Sequence, residues 1–244
     1  MREEMRKNEN IIRGGVSIIT CTNRPHFFNN IIANYKNQFY QIKELVIVIN
    51  NDSMSLAKYR LKVRGYKDIS IYKVPEKVSL GRCLNYAVGK TKYQFIAKFD
   101  DDDYYSPYYL KEQMNVLHRT GADIVGKRAY MAYLQARKLL ILRFPKQQIK
   151  FVRRVAGGTI LFRKRVFNRV RFANISLGED VNFLRACRAR GFKIYASAPR
   201  NYVQVRRTDK KSHTWTAGDR YLMSGSRVLA KSIRLRKIAS RNLT

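Results

Sequence analysis

Tyr93-Gln94-Phe95-Ile96-Ala97-Lys98-Phe99-Asp100-Asp101-Asp102-Asp103 is an apolar strand pattern that ends abruptly in four consecutive aspartates. Unit charges 4 Å apart repel by about 1 kcal/mol in water and by several times that where solvent is partly excluded. The chain carries 50 Lys and Arg against 17 Asp and Glu, so scarce negative charge has been concentrated at one costly point. A hard divalent cation such as Mg²⁺ or Mn²⁺, bound through one or two carboxylates and completed by phosphate oxygens, relieves that cost. The plainer alternative is an acidic loop neutralised by nearby Lys and Arg. The strand placed directly before the acids favours the metal-diphosphate reading, because ligand sites of open α/β sheets lie at carboxyl strand ends.

Working outward, strands alternate with helices. Val16 to Cys21 is a short apolar run followed by Thr22-Asn23-Arg24-Pro25, and Pro25 suits the first turn of a helix carrying Phe27, Phe28, Ile31 and Ile32. Leu45 to Ile49 is β-branched at nearly every position and stops at Asn50-Asn51-Asp52-Ser53, which reads as a strand buried on both faces. A helical stretch to about Arg64 leads to a strand over Ile69 to Val74. Ser79 is then a plausible N-cap for a helix through Leu80, Cys83, Leu84 and Ala87. Four strands with three intervening helices imply a mostly parallel sheet, with three polar clusters converging on one edge. No GxGxxG follows the first strand and no GxxxxGK[ST] occurs, so neither a dinucleotide fingerprint nor a P-loop is present.

The second half is less regular. A helix with Leu110, Met114 and Leu117 opens after Pro107 and closes at Gly121, and Ile124-Val125 and Leu139 to Leu142 read as strands free to run antiparallel. Gly157-Gly158 precedes an apolar strand and permits either a turn or close approach of a ligand. Gly178-Glu179-Asp180 opens a helix that ends at Gly191, and acids there cap a helix dipole whatever else they do. From Asp219 to Thr244 the pattern predicts a basic helix, which either docks on the core or lies on an anionic leaflet.

The 244 residues fit one domain with an appended tail, and no window reaches 18 apolar residues. The opening MREEMRKNEN has no apolar signal core, which leads to the expectation of a cytoplasmic protein, peripheral to the membrane at most. Cys21, Cys83 and Cys187 have neither disulfide nor zinc spacing. The net charge of +33 recruits polyanions, whether nucleic acid, anionic lipid, nucleotide-activated substrates or a phosphate-containing polymer. The basic residues are spread along the whole chain, and no zinc-finger, RNP-type or basic-zipper signature accompanies them.

Taken in order, VSIITCTNRP, LVIVINNDS, VSLGRCLNYAV, YQFIAKFDDDDYYSPYYL, VAGGTILFRKRVF and GEDVNFLRACRARGFKIY resemble the nucleotide-sugar-dependent glycosyltransferases of family 2. The resemblance runs from about residue 16 to 200. It implies a single Rossmann-like α/β domain of the A-type, with a mixed, mostly parallel central sheet. The organisation expected is an extension over 1–14, a domain over 15–205 (nucleotide-binding half 15–103, acceptor half 104–205) and a basic loop and helix over 206–244.

The same resemblance implies transfer of a sugar from a nucleoside diphosphate donor to a glycan or lipid-linked acceptor, usually with inversion and with Mn²⁺ or Mg²⁺, in cell-surface or spore polysaccharide synthesis. Asp100 and Asp102 take the place of the metal-diphosphate pair, and Asp103 is the acid that follows it. In an extended segment Asp100 and Asp102 share one side and Asp101 points away. Asp100 and Asp101 also stand with Thr20, Thr22, Arg24, Asn50, Asn51, Asp52, Arg82 and Asn85 on the nucleotide side. Asp180 matches the general base with Glu179 beside it, and Gly157 and Gly158 match the floor under the acceptor. His213 is a candidate third metal ligand on a closing loop, and Trp215 a candidate stacking surface. Asn50 and Asn51 stand where members often carry two aspartates, so UDP is the expected nucleotide with base preference left open. The competing classes are a polyanion- or nucleic-acid-binding protein and an inactive structural protein on the same fold.

Overall fold

The computed structural model describes residues 14–209 and 213–231. Its first half is built from β1 (Val16–Thr22), α1 (Phe28–Lys36), β2 (Lys43–Ile49), α2 (Leu56–Val63), β3 (Ile69–Lys73), α3 (Leu80–Gly89) and β4 (Phe95–Lys98). The strands pair in parallel in the order β3-β2-β1-β4. Six of the seven residues of β2 are buried, as a strand covered on both faces requires. Pro25 opens a short 3₁₀ turn, Pro25–Phe27, that runs into α1. Ser79 caps α3 by accepting the Arg82 N–H through its hydroxyl at 3.3 Å.

The second half contributes β5 (Tyr104–Tyr105), α4 (Tyr109–Thr120), β6 (Ile124–Gly126), β7 (Tyr130–Leu134), β8 (Leu139–Arg143), β9 (Lys150–Phe151), β10 (Leu161–Arg163), α5 (Lys164–Phe167), α6 (Glu179–Ala189), β11 (Ile194–Ala196), β12 (Tyr202–Arg206), α7 (Asp219–Met223) and β13 (Arg227–Lys231). Strand β10 joins β4 antiparallel and extends the first sheet through β6, β11 and β9, giving eight strands of mixed direction. A second, five-stranded sheet runs β13-β8-β7-β12-β5. Gly121 closes α4 in the left-handed conformation at φ 62°, which glycine adopts without penalty.

The expected basic helix from Asp219 onward is corrected. Only Asp219–Met223 is helical; Arg227–Lys231 is a strand that pairs antiparallel with β8, and residues 232–244 lie outside the described residues. The reason is packing. Leu222 is fully buried in the main core, which anchors the chain beside the open edge of β8, and that edge supplies backbone partners a helix could not use. The tail is therefore part of the domain as far as residue 231. Among the described residues no helix is long and apolar enough to cross a membrane.

A close backbone contact adds to the strand pairing between the two halves. On α3, Gly81 donates its N–H to the Ile175 carbonyl at 3.0 Å, and a Cβ at Gly81 would lie 1.8 Å from the Ala173 carbonyl oxygen. Segment 172–176, which leads into α6, thus presses directly on the helix. Gly81→Ala is expected to lower the unfolding free energy by about 1–3 kcal/mol, the cost of overpacking a rigid contact. Gly89→Ala, where nothing lies within 4 Å, is expected to leave stability unchanged or raise it, and paired denaturant titrations check both.

Candidate functional site

The chain leaves β4 at Lys98 and turns through the four aspartates before β5 begins at Tyr104. Because this segment is a turn and not an extended strand, the two-residue alternation expected for it does not hold. Asp101 and Asp102 face the same guanidinium. Arg24 donates from Nε to Asp101 Oδ2 at 3.1 Å, pairs through its second terminal nitrogen with Asp101 Oδ1, and donates from Nη1 to Asp102 Oδ2 at 3.2 Å. Thr22 donates its hydroxyl to Asp101 at 2.6 Å, and the Arg24 N–H bonds back to that hydroxyl at 3.1 Å. The loop after β1 is thereby locked to the turn after β4.

Asp102 collects two further partners, one of them positive, from the chain beyond β12. Arg207 donates to Oδ2 at 2.6 Å, and Nδ1 of the buried His213 lies 3.5 Å from the same oxygen. His213 Nε2 accepts the Arg207 N–H at 2.9 Å, so the ring proton of a neutral imidazole sits on Nδ1, toward Asp102. Burial alone would raise the Asp102 pKa, but the bond with His213 and the charges of Arg24 and Arg207 outweigh it and hold this carboxyl well below its ordinary range. Burial instead lowers His213, against the pull of Asp102.

Asp103 turns inward and is structural. It accepts the Tyr202 hydroxyl at 2.5 Å and the Val205 N–H at 3.0 Å, and burial together with Asp102 and Asp100 pushes its pKa upward. From α1, Asn30 donates to the Asp101 and Asp103 carbonyls at 2.8 and 3.0 Å, and Asn34 to the Asp103 carbonyl at 2.9 Å. Two of the turn's carbonyls, those of Asp101 and Asp103, are therefore satisfied by side chains that no motif marks.

Asp100 is bound by Lys98, a buried cation two residues earlier on β4. The Asp100 N–H donates to the Tyr105 hydroxyl at 2.8 Å, and that hydroxyl donates to the Gly158 carbonyl at 2.6 Å. Here the glycine pair is required. A Cβ at Gly158 would lie 2.6 Å from Asp100 Oδ2, and one at Gly157 would lie 2.1 Å from Asp180 Oδ2. Two adjacent glycines let a carboxylate of the acidic turn and the carboxylate opening α6 approach one stretch of backbone. Glu179 is buried beside them, and burial first, then the Asp180 charge, push its pKa up to about 7 against the lowering effect of Lys98.

Several expected residues sit elsewhere or act differently. Asn85 has both ends of its amide on Phe172, donating to the carbonyl and accepting the N–H, each at 2.9 Å. It clamps segment 172–176 to α3, which corrects its expected diphosphate role. Arg82 is exposed on the first turn of α3. The Trp215 ring packs 5.3 Å from the Arg206 guanidinium and 6.0 Å from the Tyr221 ring, a protein contact where a donor-stacking surface was expected. Thr20 is buried at the end of β1. Asn50 donates to the Pro75 carbonyl at 2.8 Å, Asn51 donates to the Asn23 carbonyl at 2.8 Å, and Asp52 accepts the Glu76 N–H at 3.3 Å, so all three shape the rim at the end of β2. Sequence reasoning missed Lys98 and Arg207. A lone charge inside a buried strand was the available signal for Lys98, whereas Arg207 is one arginine in a basic run.

Among the described residues no three His, Cys, Asp or Glu side chains are grouped to hold a metal ion by themselves. The donor chemistry still suits a hard divalent ion that takes one or two protein ligands and completes its shell with phosphate oxygens. Asp102 is the carboxylate on which positive groups converge. His213 joins it only if Nε2 releases the Arg207 N–H.

Glu179 carries a pH dependence of stability. Its folded pKa is raised from 4.5, so its contribution is fully present below that value and is lost as pH rises through about 7. Relative to Glu179→Gln, the wild type is expected to lose up to about 3 kcal/mol between pH 4.5 and pH 8, read from denaturant midpoints across that range.

Comparison with known proteins accords with this geometry. The family model for glycosyl transferase family 2 matches residues 17–170. The O-antigen biosynthesis glycosyltransferase WbnJ from Escherichia coli is 28% identical over 167 residues, which cover 64% of this chain and 64% of WbnJ; the chain thus spans less than two thirds of that relative's length. TarS 1-349 from S. aureus, solved in complex with UDP-GlcNAc, superimposes with a TM-score of 0.68 at 15% identity, covering 84% of this chain and 61% of that 1-349 chain. The mannosyltransferase PcManGT from Pyrobaculum calidifontis, solved with GDP-Man and Mn²⁺, gives 0.62 at 16% identity, covering 82% of this chain and 59% of PcManGT. The structural likenesses carry the A-type glycosyltransferase fold, and the family match spans the acidic turn, the loop after β1 that locks to it and the glycine pair: the chain belongs to glycosyl transferase family 2.

Proposed function

We propose that this protein transfers a sugar from a nucleoside diphosphate donor to a hydroxyl of a glycan or lipid-linked acceptor, with inversion at the anomeric carbon. One observation carries the reading: Gly157 and Gly158 bring a carboxylate of the acidic turn and the carboxylate of Asp180 to the same short backbone segment. The donor's diphosphate belongs at the acidic turn, where the carboxyl ends of β1, β2 and β4 meet. The acceptor hydroxyl belongs beside Asp180, across the glycine pair.

Arg24 and Arg207 occupy Asp101 and Asp102 in this structure, and both guanidinium groups are placed to turn toward a diphosphate that takes over part of their charge pairing. Asp102 would hold a divalent ion, with His213 as a second ligand and Asp100 beside it. When bound, Mn²⁺ or Mg²⁺ supplies positive charge to the diphosphate as it leaves. The rim formed by Asn50, Asn51 and Asp52 is suited to a nucleobase, and the Asn amides can both accept from and donate to a uracil edge. UDP is the nucleotide we favour, supported by the UDP-GlcNAc complex of TarS.

Asp180 has the placement a general base needs. It is half-buried on the first turn of α6, and one of its carboxylate oxygens accepts the Val181 N–H at 2.7 Å, which fixes the other oxygen toward the glycine pair. It removes the acceptor hydroxyl proton as that oxygen attacks opposite the departing diphosphate, and no covalent sugar intermediate is needed. Glu179 stays inside as the partner that shares Lys98 with Asp100. Cell-envelope polysaccharide assembly is the setting we favour, supported by the O-antigen role in the name of WbnJ.

A panel of nucleoside diphosphate sugars with Mn²⁺, read by release of free nucleotide in the presence of acceptor, identifies the donor. With that donor, Asp180→Asn is expected to keep donor binding while lowering transfer by on the order of 10² or more. Near-normal turnover in this variant would move the proton-accepting role to another group.

A further inference from the structure

On the acceptor side of the glycine pair lies a group of arginines that the reaction above does not use. Arg128 follows Lys127, whose N–H donates to the Thr159 hydroxyl at 2.8 Å and whose carbonyl accepts the Ala156 N–H at 2.8 Å. Arg154 lies two residues before Ala156. In the backbone, both arginines therefore stand one or two residues from the Lys127–Ala156 bond, next to the Gly157 that Asp180 approaches. Behind them, Arg143 at the end of β8 is 3% exposed. The Arg128 and Arg143 guanidinium carbons sit 3.8 and 4.6 Å from the centroid of one ring, that of Phe144.

Their charge is not compensated within the described protein. The nearby carboxylates pair with other cations: Glu112 with Lys127 and Arg200, Asp123 with Arg165, and Asp219 with Arg137. None of the ion pairs among the described residues involves Arg128, Arg143 or Arg154. The buried Nε of Arg143 has no hydrogen-bond partner among the described residues, although its terminal nitrogen donates to the Tyr130 hydroxyl at 3.0 Å. Burial is the main cause that lowers the Arg128 pKa, and the charges of Arg154 and Arg143 act in the same direction. The aromatic rings of Tyr130, Phe144, Trp215 and Tyr221 give Arg143 a cation–π setting, which fixes it in place without neutralising it. Paired guanidinium groups match the geometry of phosphate oxygens better than any other common anion-binding side chain.

The geometry points to Arg128 and Arg154, backed by Arg143, as an anion subsite that holds a phosphate group of the acceptor, placing a neighbouring sugar hydroxyl beside Asp180. This rests on the glycosyltransferase reading and narrows its acceptor to a phosphate-bearing one. The phosphate belongs either to a lipid-linked diphosphate or to a soluble phosphodiester polymer.

The test uses the full chain saturated with UDP and Mn²⁺, so that the donor side is filled, and titrates three probes: a soluble glycerol-phosphate oligomer, zwitterionic vesicles carrying a polyprenyl diphosphate, and uncharged maltotriose. Binding of at least one phosphate probe, with maltotriose much weaker, is expected, and the probe that binds tells soluble polymer from lipid headgroup. The Arg128→Gln/Arg154→Gln double variant is expected to lose that binding by tenfold or more while UDP binding stays unchanged. Arg154→Gln alone, on an exposed side chain, is expected to lose it several-fold with the thermal midpoint unaltered. Failure of both phosphate probes to bind, or equal binding by wild type and both variants, overturns the subsite. A wild type that does not bind UDP in a separate titration instead overturns the glycosyltransferase reading.

Discussion

The four-way lock between Arg24, Asp101, Asp102 and Arg207 is the constraint on which the rest of the site depends. Four consecutive buried or half-buried carboxylates at a strand end would repel one another strongly in a medium of low effective dielectric. Asp103 turns inward, and the other three have positive partners: Lys98 for Asp100, Arg24 with Thr22 for Asp101, and the same Arg24 with Arg207 for Asp102. These partners come from three different parts of the chain. The ends of β1 and β4 and the segment after β12 are held at one point by charge rather than by apolar packing.

This arrangement gives the basic excess a local meaning. An arginine paired to a carboxylate is a cation held ready near an anion, and a diphosphate can compete for it at modest cost because the guanidinium groups are already desolvated in part. The buried core beneath is tied to the acidic turn through tyrosine hydroxyls, Tyr105 on the Asp100 N–H and Tyr202 on the Asp103 carboxylate. Tyr105 stacks on Phe99 with ring centres 3.8 Å apart, and its hydroxyl joins the Asp100 N–H to the Gly158 carbonyl, so the floor of the site is fixed by the core itself.

The parallel half of the fold was legible because its signals are local. β-Branched runs, Ser79 as a cap and Pro25 before a helix each act within a few residues. The acidic turn and the pair Glu179-Asp180 stood out in the sequence as candidates, yet their geometry was not legible: alternation assumed an extended segment, whereas the chain turns, with Asn30 and Asn34 on α1 binding its carbonyls from a distance in sequence. Asn85 misled for the same reason, since its partner Phe172 is remote in the chain and shares no motif with it. The second sheet was hidden because β13 gains its conformation from the edge of β8 and not from its own pattern, which suits a helix as well as a strand. Arg207 could not be distinguished from its basic neighbours until the fold brought it to Asp102.

The central claim is that the turn of Asp100 to Asp103 is the diphosphate end of a donor site whose internal cations give way to ligand. Calorimetric titration of UDP in Mn²⁺ and in EDTA, for the wild type and for Asp102→Asn, tests it directly. UDP binding that Mn²⁺ strengthens in the wild type, with that strengthening lost in the variant, is the predicted result. Absence of UDP binding under both conditions, or an affinity indifferent to Mn²⁺ and to the loss of the Asp102 charge, would contradict it.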